Sequence, residues 1–298
     1  MPNVKKTIIV TGGAGFVGSN LIELILKKTK YKILSLDNYS SGYKKNHIKN
    51  KRVQYVKSNT KNISKTFNHI KKKIHTVFHF GEFARIYQSF IKMNECIEAN
   101  SIGTHAVFNF CMTNKIKLIY SATSATLGNN GDDKNLSPYA FTKAKNLELL
   151  ENLKRWFNFK FEIIYFYNVY GARQICKGDM ATVIGIFENC FQQGIPLPVV
   201  KPGSQARRFT YIGDTVSACF LAWKKGKCRH YSISSKKNYT ILNVAKLFGS
   251  KIKILPPRKG ERYASALTNM NLSNKVYKIF GKMELTNYIE NFKKSLKK

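Results

Sequence analysis

Short apolar runs alternate with longer amphipathic stretches along the first 170 residues. The runs are rich in Val, Ile and Tyr, as is typical of buried strands, and the stretches repeat their apolar residues at helical spacing. Alternation of strand and helix predicts an α/β fold: a doubly wound parallel sheet with helices on both faces. Strands are predicted at residues 7–12, 32–37, 53–58, 76–81, 117–122 and 162–169, and helices at residues 17–28, 97–114 and 139–157.

The pattern changes near residue 170, where shorter elements and loops replace the regular alternation. We therefore predict a first domain at residues 1–170 and a smaller C-terminal domain at residues 171–298. A segment near residues 209–224 is expected to return to the first domain. Ligands of doubly wound sheets bind beyond the carboxyl ends of the strands, and the motifs described below fall there.

The chain is strongly basic, with a formal net charge of +35 from 51 Lys and Arg against 16 Asp and Glu. Such a charge is compatible with a nucleic-acid-binding protein on a dinucleotide fold, which is the non-enzymatic alternative. Only nine of the basic residues are Arg, the side chain preferred for phosphate and base contacts, and the lysines are scattered. We therefore read most lysines as solvated surface and expect no nucleic-acid partner.

The six cysteines form no CxxC pair and no cluster with zinc-like spacing, so we expect no metal site. They are typical of the reduced thiols of an intracellular protein. The amino terminus enters an apolar strand without the pattern of a signal peptide, and no apolar run is long enough to span a membrane. A cytoplasmic protein without a membrane partner is expected.

A glycine-rich turn, "VTGGAGFVGSNL", follows the first strand and opens the first helix. Gly12, Gly15 and Gly18 give the spacing that permits a tight turn and close backbone approach to a pyrophosphate at a helix amino end. The second strand ends in Asp37, whose carboxylate would accept hydrogen bonds from an adenosine ribose and repel a 2′-phosphate. The motif predicts a Rossmann-type NAD site, although Lys44 and Lys45 leave NADP as an alternative.

Tyr139 and Lys143 are four residues apart at the start of a predicted helix, so both side chains project from one face. An ammonium near a phenol favours the phenolate, which can take a proton from a sugar or alcohol hydroxyl while hydride leaves the same carbon. The hydroxyl of Thr123, at the end of the fifth strand, can bind the same substrate oxygen, and Ser124 supplies an adjacent second hydroxyl. Together these residues predict a hydride-transfer centre.

The chain resembles the extended short-chain dehydrogenase/reductases, and within them the NAD-dependent epimerase/dehydratase enzymes that act on nucleotide sugars. The resemblance rests on "TGGAGFVGSNL", "DNYSSG", "VFHFGEFA", "EANSIGTHAV", "YSATSATLG", "SPYAFTKA", "YFYNVYGARQ", "RRFTYIGD" and "PPRKGE". It implies a catalytic Tyr139, supported by Lys143, Thr123 and Ser124, and a nucleotide-sugar-binding C-terminal domain. It also implies cofactor contacts at Gly12, Gly15, Phe16, Val17, Gly18, Asp37, Asn38, Asn59, Phe80, Gly81, Glu82, Asn100, Lys143 and Tyr167, and substrate contacts at Thr123, Asn168, Arg207 and Arg258.

The residues after Thr123 distinguish the reactions of this family. Its 4,6-dehydratases place an Asp-Glu pair there, whereas this chain has Ser124 and Ala125, and "TSAT" resembles the corresponding string of the 4-epimerases. The resemblance is therefore strongest to the UDP-glucose 4-epimerases and implies interconversion of UDP-hexose C4 epimers through a 4-keto sugar. A dehydratase, decarboxylase or ketoreductase is the enzymatic alternative. Ala266, near the expected sugar gate, would admit N-acetyl sugars.

Three departures from the family pattern concern specificity. Asn59 stands where an acidic residue often contacts adenine, Arg208 replaces an acidic residue after Arg207, and Glu82 replaces a small residue near the nicotinamide. Relatives often dimerise through a helix pair of the first domain, so the resemblance also implies a homodimer.

Overall fold

The computed structural model describes residues 6–127, 129–260 and 276–296, in which strands and helices alternate. The strands are β1 (Thr7–Thr11), β2 (Lys32–Asp37), β3 (Val53–Lys57), β4 (Ile74–His79), β5 (Lys117–Thr123), β6 (Phe161–Phe166), β7 (Val169–Tyr170), β8 (Leu197–Val200), β9 (Ala206–Arg208), β10 (Thr210–Tyr211), β11 (His230–Ser234), β12 (Asn238–Thr240), β13 (Ile252–Leu255) and β14 (Val276–Phe280). The helices are α1 (Phe16–Lys28), α2 (Ile63–Phe67), α3 (Ile86–Ile91), α4 (Met93–Ile97), α5 (Thr104–Thr113), α6 (Pro138–Phe157), α7 (Val183–Gln192), α8 (Ile212–Lys225), α9 (Ile241–Phe248) and α10 (Leu285–Ser295).

Eight of the described strands form one parallel sheet in the order β14-β11-β6-β5-β4-β1-β2-β3. The predicted doubly wound, Rossmann-type fold is confirmed, with β2 coinciding with its predicted range and the ends of the other early strands lying within three residues of theirs. The strand order reverses between β1 and β4. Such a switch point opens a crevice at the carboxyl ends of the two strands.

The sheet is buried on both faces, which explains why its strands read as unbroken apolar runs. Neighbouring residues of a strand point to opposite faces. In β1, Ile8 and Val10 pack into the core beneath α1 and α8, whereas Ile9 packs into the core beneath α5. Removing all three side chains from water stabilises the fold by several kcal/mol, at roughly 2 kcal/mol for each.

Residues beyond 170 contribute to two parts of the molecule. Helix α8 packs against α1, and β11 and β14 extend the large sheet. A third hydrophobic cluster joins α7, α9 and α10 with the short strand β8, and contains Phe187, Val199, Phe248 and Ile289. Residues after 170 therefore build the smaller cluster and also complete the sheet of the first domain.

Candidate active site

Two adjoining clefts lie at the carboxyl ends of the sheet strands. The first cleft lies at the switch point, above β1, β2 and β4, and the second lies beside it, between the end of β5 and the smaller cluster. Six residues line both clefts, so a ligand in one would contact a ligand in the other. These residues are Phe16, Val17, Ala84, Arg85, Tyr139 and Phe166.

The glycine turn forms the floor of the first cleft. Gly12 has a φ of +68°, and a Cβ there would lie 2.9 Å from the backbone of Phe80 and Gly81. A Cβ at Gly18 would lie 2.2 Å from the carbonyl oxygen of Gly12. Glycine at both positions therefore lets the turn pack against β4 and brings the amino end of α1 to the cleft. Phe16, Val17 and Gly15 line the same floor, where backbone N–H groups and the helix dipole favour a phosphate.

Asp37 lies at the end of β2 on the wall of the first cleft. Its Oδ2 accepts a hydrogen bond from the backbone N–H of Ala14 at 2.9 Å, and its Oδ1 accepts one from Tyr39 at 2.8 Å. Burial raises the pKa of this carboxyl group, and the two N–H donors oppose that rise. These donors orient the carboxylate towards the cleft, as ribose binding requires.

The other predicted cofactor residues divide between the cleft and the core. Asn38, Asn59, Phe80, Gly81 and Glu82 line the first cleft.

Asn100 and Tyr167 do not line either cleft. Asn100 is fully buried and binds the loop after β4, accepting from Phe83 N at 2.7 Å. Tyr167 is buried in the core, where its hydroxyl accepts from Ser232 Oγ at 3.1 Å. Asn100 therefore acts on the cleft through the loop that it holds.

Tyr139 and Lys143 come together through the first turns of α6. Ser137 caps the helix, its Oγ accepting from Ala140 N at 3.1 Å, and Pro138 occupies the first turn. Tyr139 lines both clefts, and Lys143 lines the first. The i, i+4 spacing places the phenol and the ammonium on one helix face, as predicted.

Lys143 is buried and forms an ion pair with Glu82. The side chains are only 5% and 3% exposed, and Lys143 also donates to the carbonyl oxygen of Ser121. Burial lowers the pKa of the ammonium, while the Glu82 carboxylate opposes that effect. Glu82 and the Ser121 carbonyl oxygen thus hold the buried lysine at the wall of the first cleft, which Tyr139 also lines.

The second cleft brings together the predicted substrate residues Thr123, Asn168, Arg207 and Arg258 with Ser124, which was predicted as a catalytic residue. Thr123 Oγ1 accepts from Ala125 N at 3.1 Å, so its hydroxyl proton is available to a ligand. Arg207 is buried, whereas Arg258 is exposed above the ring of Tyr87 at 5.3 Å. Both guanidinium groups suit the oxygens of a diphosphate.

Arg208 does not line either cleft. It donates from Nε to Asn238 Oδ1 at 3.1 Å on the antiparallel strand β12. Because adjacent residues of a strand point to opposite faces, Arg207 reaches the second cleft and Arg208 points away from it.

Sequence reasoning missed Arg85, which lines both clefts beside Tyr139. Its Nη1 donates to Ala84 O at 2.7 Å and its Nη2 to Met180 O, while its Nε is buried without a partner among the described residues. Burial lowers the pKa of this guanidinium, and Tyr139 opposes that effect. An Arg three residues after Glu82, in a chain that otherwise favours Lys, was the available signal.

Some sequence predictions lie outside the clefts or outside the described residues. Ala266 falls beyond the part of the chain that the structure describes. Among the described residues, no group of His, Cys, Asp and Glu is arranged to hold a metal ion, and no helix has the length and apolarity needed to cross a bilayer.

The fold and the two clefts define a dinucleotide-dependent enzyme with a Tyr-Lys centre. The model of the NAD dependent epimerase/dehydratase family matches residues 8–234, and the chain belongs to this family, whose cofactor is NAD. The glycine floor and Asp37 fit that cofactor: a side chain at Gly12 or Gly18 would fill the floor, and the Asp37 carboxylate at the cleft wall would accept hydrogen bonds from the ribose hydroxyls.

Relatives with different reactions share this fold. A putative UDP-glucose 4-epimerase of Methanocaldococcus jannaschii is 28% identical over 231 residues, covering 73% of this chain and 74% of that protein. A dTDP-D-glucose 4,6-dehydratase of Dictyostelium discoideum is 28% identical over 269 residues, covering 81% and 61%. The crystal structure of a UDP-glucose 4-epimerase with UDP-glucose, from Thermotoga maritima, has a TM-score of 0.84 at 25% identity, covering 97% of this chain and 99% of that one.

Proposed function

We propose that the protein is an NAD-dependent nucleotide-sugar 4-epimerase that interconverts the C4 epimers of a UDP-hexose. One observation carries the proposal: among the described residues, those lining the second cleft include Tyr139, Thr123 and Ser124 but no Asp or Glu. Epimerisation at C4 needs one group that takes and returns a proton. Dehydration needs an additional acid and base at the neighbouring carbon, and carboxylates are the usual groups for that work.

The residues of the second cleft account for the proton steps. Tyr139 takes the proton of the sugar 4-hydroxyl, and the Thr123 hydroxyl donates to the same oxygen and orients it. NAD, held by the glycine floor and Asp37, would supply reversible hydride acceptance at C4. The 4-keto sugar turns over in the cleft, and Tyr139 returns the proton to the oxygen of the other epimer.

The substrate class follows from the charges around the second cleft. Arg207 and Arg258 would bind the two phosphates of a nucleotide diphosphate, and Asn168 would contact the same group from the end of β6. The sugar would then extend towards Tyr139 and Thr123, where hydroxyl and apolar groups line the cleft. Such a lining suits a neutral hexose that must rotate between two binding modes.

Product analysis tests this proposal. The purified protein, incubated with UDP-galactose and separately with UDP-N-acetylgalactosamine, is expected to form a C4 epimer of unchanged mass from at least one of them. Tyr139→Phe should lower the rate by about 10³-fold or more, because the proton acceptor is lost. Tyr31→Phe, which alters a tyrosine that does not line either cleft, is the matched control. Absence of any epimer, with both variants equal to wild type, would overturn the proposal.

The similar proteins favour a second candidate function. A dehydratase, decarboxylase or ketoreductase would use the same Tyr139 and Lys143, and a 4,6-dehydratase is among the similar proteins. Each of these reactions changes the mass of the sugar. Mass spectrometry of the same incubations therefore separates them from epimerisation.

We also propose that the enzyme is a cytoplasmic homodimer. The stretch around α4 exposes Ile91, Met93, Ile97 and Ile102, and α4 packs beside α6. Exposed apolar residues this close together favour a protein interface. The six cysteines are all free, as expected in a reducing compartment.

A further inference from the structure

Glu82 lies at the centre of a buried polar network behind Lys143. Its Oε2 pairs with Lys143 Nζ, and its Oε1 accepts from Thr104 Oγ1 at 2.9 Å and Tyr120 OH at 3.0 Å. Asn146 Nδ2 approaches the same oxygen at 3.4 Å. A carboxylate that is 3% exposed is stable only if its oxygens are satisfied, and here both are.

The network continues from Glu82 to the strand that precedes the glycine turn. Thr104 Oγ1 lies 2.9 Å from His79 Nε2, and His79 Nδ1 lies 2.7 Å from Thr11 Oγ1. Thr11 Oγ1 also accepts from the N–H groups of Phe80 and Gly81, at 3.0 Å each. A chain of side chains thus connects the carboxylate to β1.

The charge of Glu82 sets the direction of every hydrogen bond in this chain. An ionised carboxylate only accepts, so Thr104 donates to Glu82 and must accept from His79 Nε2–H. His79 Nδ1 is then the acceptor, and Thr11 donates to it while receiving the two backbone N–H groups. The directions of these hydrogen bonds therefore assign the proton of His79 to Nε2. A neutral His79 agrees with its burial, which lowers the pKa of the imidazole to about 4.

We propose that Glu82 is a positioning residue that fixes the Lys143 side chain and offsets part of its positive charge beside Tyr139. The ammonium of Lys143 thus lies against a buried anion. The proposal concerns the Tyr139–Lys143 centre and so rests on the proposed function. It adds that the basicity of the Tyr139 phenol depends on Glu82 as well as on Lys143.

Tyr139 therefore experiences a balance of charges. Lys143 favours the phenolate, and Glu82 weakens that effect through the ion pair. Arg85, which lines both clefts with Tyr139, contributes a cation that no carboxylate pairs with among the described residues. The titratable groups around this centre include Lys143 of α6, Tyr120 of β5, His79 of β4, Cys96 of α4 and Arg85 before α3. Lys92, Glu95 and Glu98 line the same cleft.

Removal of the Glu82 charge should make the phenol of Tyr139 ionise at lower pH. Glu82→Gln keeps the shape of the side chain and an oxygen for Lys143 but carries no charge. Without the anion, the ammonium acts on the phenol at full strength, and the ionisation midpoint of Tyr139 is expected to fall by roughly one pH unit. Glu82→Asp keeps the charge one carbon farther away and should move the midpoint in the same direction by less.

The midpoint can be measured without turnover. The near-ultraviolet absorbance of phenolate is titrated in the full-length protein and in the same protein carrying Tyr139→Phe, and the difference isolates Tyr139. The same pair of titrations is made in the Glu82→Gln and Glu82→Asp backgrounds, with thermal unfolding of each variant. If Glu82→Gln does not fold, the shift of the Tyr139 midpoint in Glu82→Asp tests the proposal.

Glu148→Gln is the matched control, since it removes one carboxylate from an exposed position of α6, the helix that carries Tyr139 and Lys143. Its midpoint should equal that of the wild type. An unchanged midpoint in the Glu82 variants, whatever their stability, would overturn the proposal and leave Glu82 a structural residue. The titration contains no substrate, so its outcome does not depend on whether the epimerase assay succeeds.

Discussion

His79 is the clearest case of a side chain whose protonation the fold controls. It is fully buried between the hydroxyls of Thr11 and Thr104, and both ring nitrogens are used. A proton added to the ring would lie on Nδ1 and face Thr11 Oγ1, which already accepts from the N–H groups of Phe80 and Gly81. Burial accordingly lowers the pKa of His79 to about 4.

The folded protein should lose stability as the pH falls through the range of His79. The unfolded imidazole binds a proton near its ordinary pKa of 6.5, whereas the folded one does so only near 4. Between these values the unfolded state holds more protons, so the free energy of unfolding falls as the pH falls, by about 3 kcal/mol over the whole window. Urea unfolding at several pH values measures this.

His79→Gln should flatten the curve between pH 6.5 and pH 4, because the titrating group is gone. His69→Gln, at an exposed histidine, should leave the curve unchanged. A wild-type protein with equal stability at both ends of that range would contradict the assignment.

At the scale of elements, the site depends on turns and caps that start helices at defined residues. Helix α6 begins at Pro138 because Ser137 caps it, and Tyr139 and Lys143 follow at positions set by that start. The glycine turn does the same for α1. The sequence predicted both elements, because capping residues, proline at a helix start and glycine spacing are local signals.

Ser137→Ala should weaken the start of α6. It removes the acceptor of Ala140 N–H, which costs about 1 kcal/mol of stability, and it loosens the turn that carries Tyr139. Thr240→Ala removes an equivalent cap from α9, where Thr240 Oγ1 accepts from Asn243 N at 3.0 Å. Denaturant unfolding should show similar losses for both variants, and an epimerase assay should show a lower rate for Ser137→Ala alone. Equal rates would mean that the cap does not position Tyr139.

Gly18→Ala should disrupt the floor of the first cleft, because the added Cβ would lie 2.2 Å from the Gly12 carbonyl oxygen. We expect loss of NAD binding of at least about tenfold, measured by calorimetry, which corresponds to ~1.4 kcal/mol. Gly194→Ala, at a positive-φ glycine with open space around it, should cost about 1 kcal/mol of stability and leave NAD affinity unchanged. Normal NAD affinity in Gly18→Ala would show that the turn can relax.

At the scale of the whole molecule, two features of the surface bear on what the protein binds: its net charge and its exposed apolar residues. The net charge of +35 comes from lysines spread over the surface, so it attracts anionic substrates without defining a site. The exposed apolar residues around α4, in contrast, are concentrated in one stretch. That stretch is where we place the contact between two subunits.

Ile97→Asp should convert the proposed dimer to a monomer, since it buries a charge in an apolar interface. Leu221→Asp is the matched control, because Ile97 and Leu221 are both 37% exposed but lie on different helices. Sedimentation velocity should show a dimer for the wild type and for Leu221→Asp, and a monomer for Ile97→Asp. A monomeric wild type, or a dimeric Ile97→Asp, would refute this interface.

The sequence by itself determined six strands of the large sheet, the longer helices α1, α5 and α6, the glycine turn and the i, i+4 placement of Tyr139 and Lys143, but not the short helices α2, α3 and α4. These features depend on residues close together in the chain, through hydrophobic period, capping and i, i+4 spacing. The tertiary structure alone decided what surrounds them. Glu82 meets Lys143 across 61 residues, and Arg85 reaches Tyr139 from the loop before α3. Those contacts arise where the carboxyl ends of distant strands converge, and no local pattern encodes the distance between them.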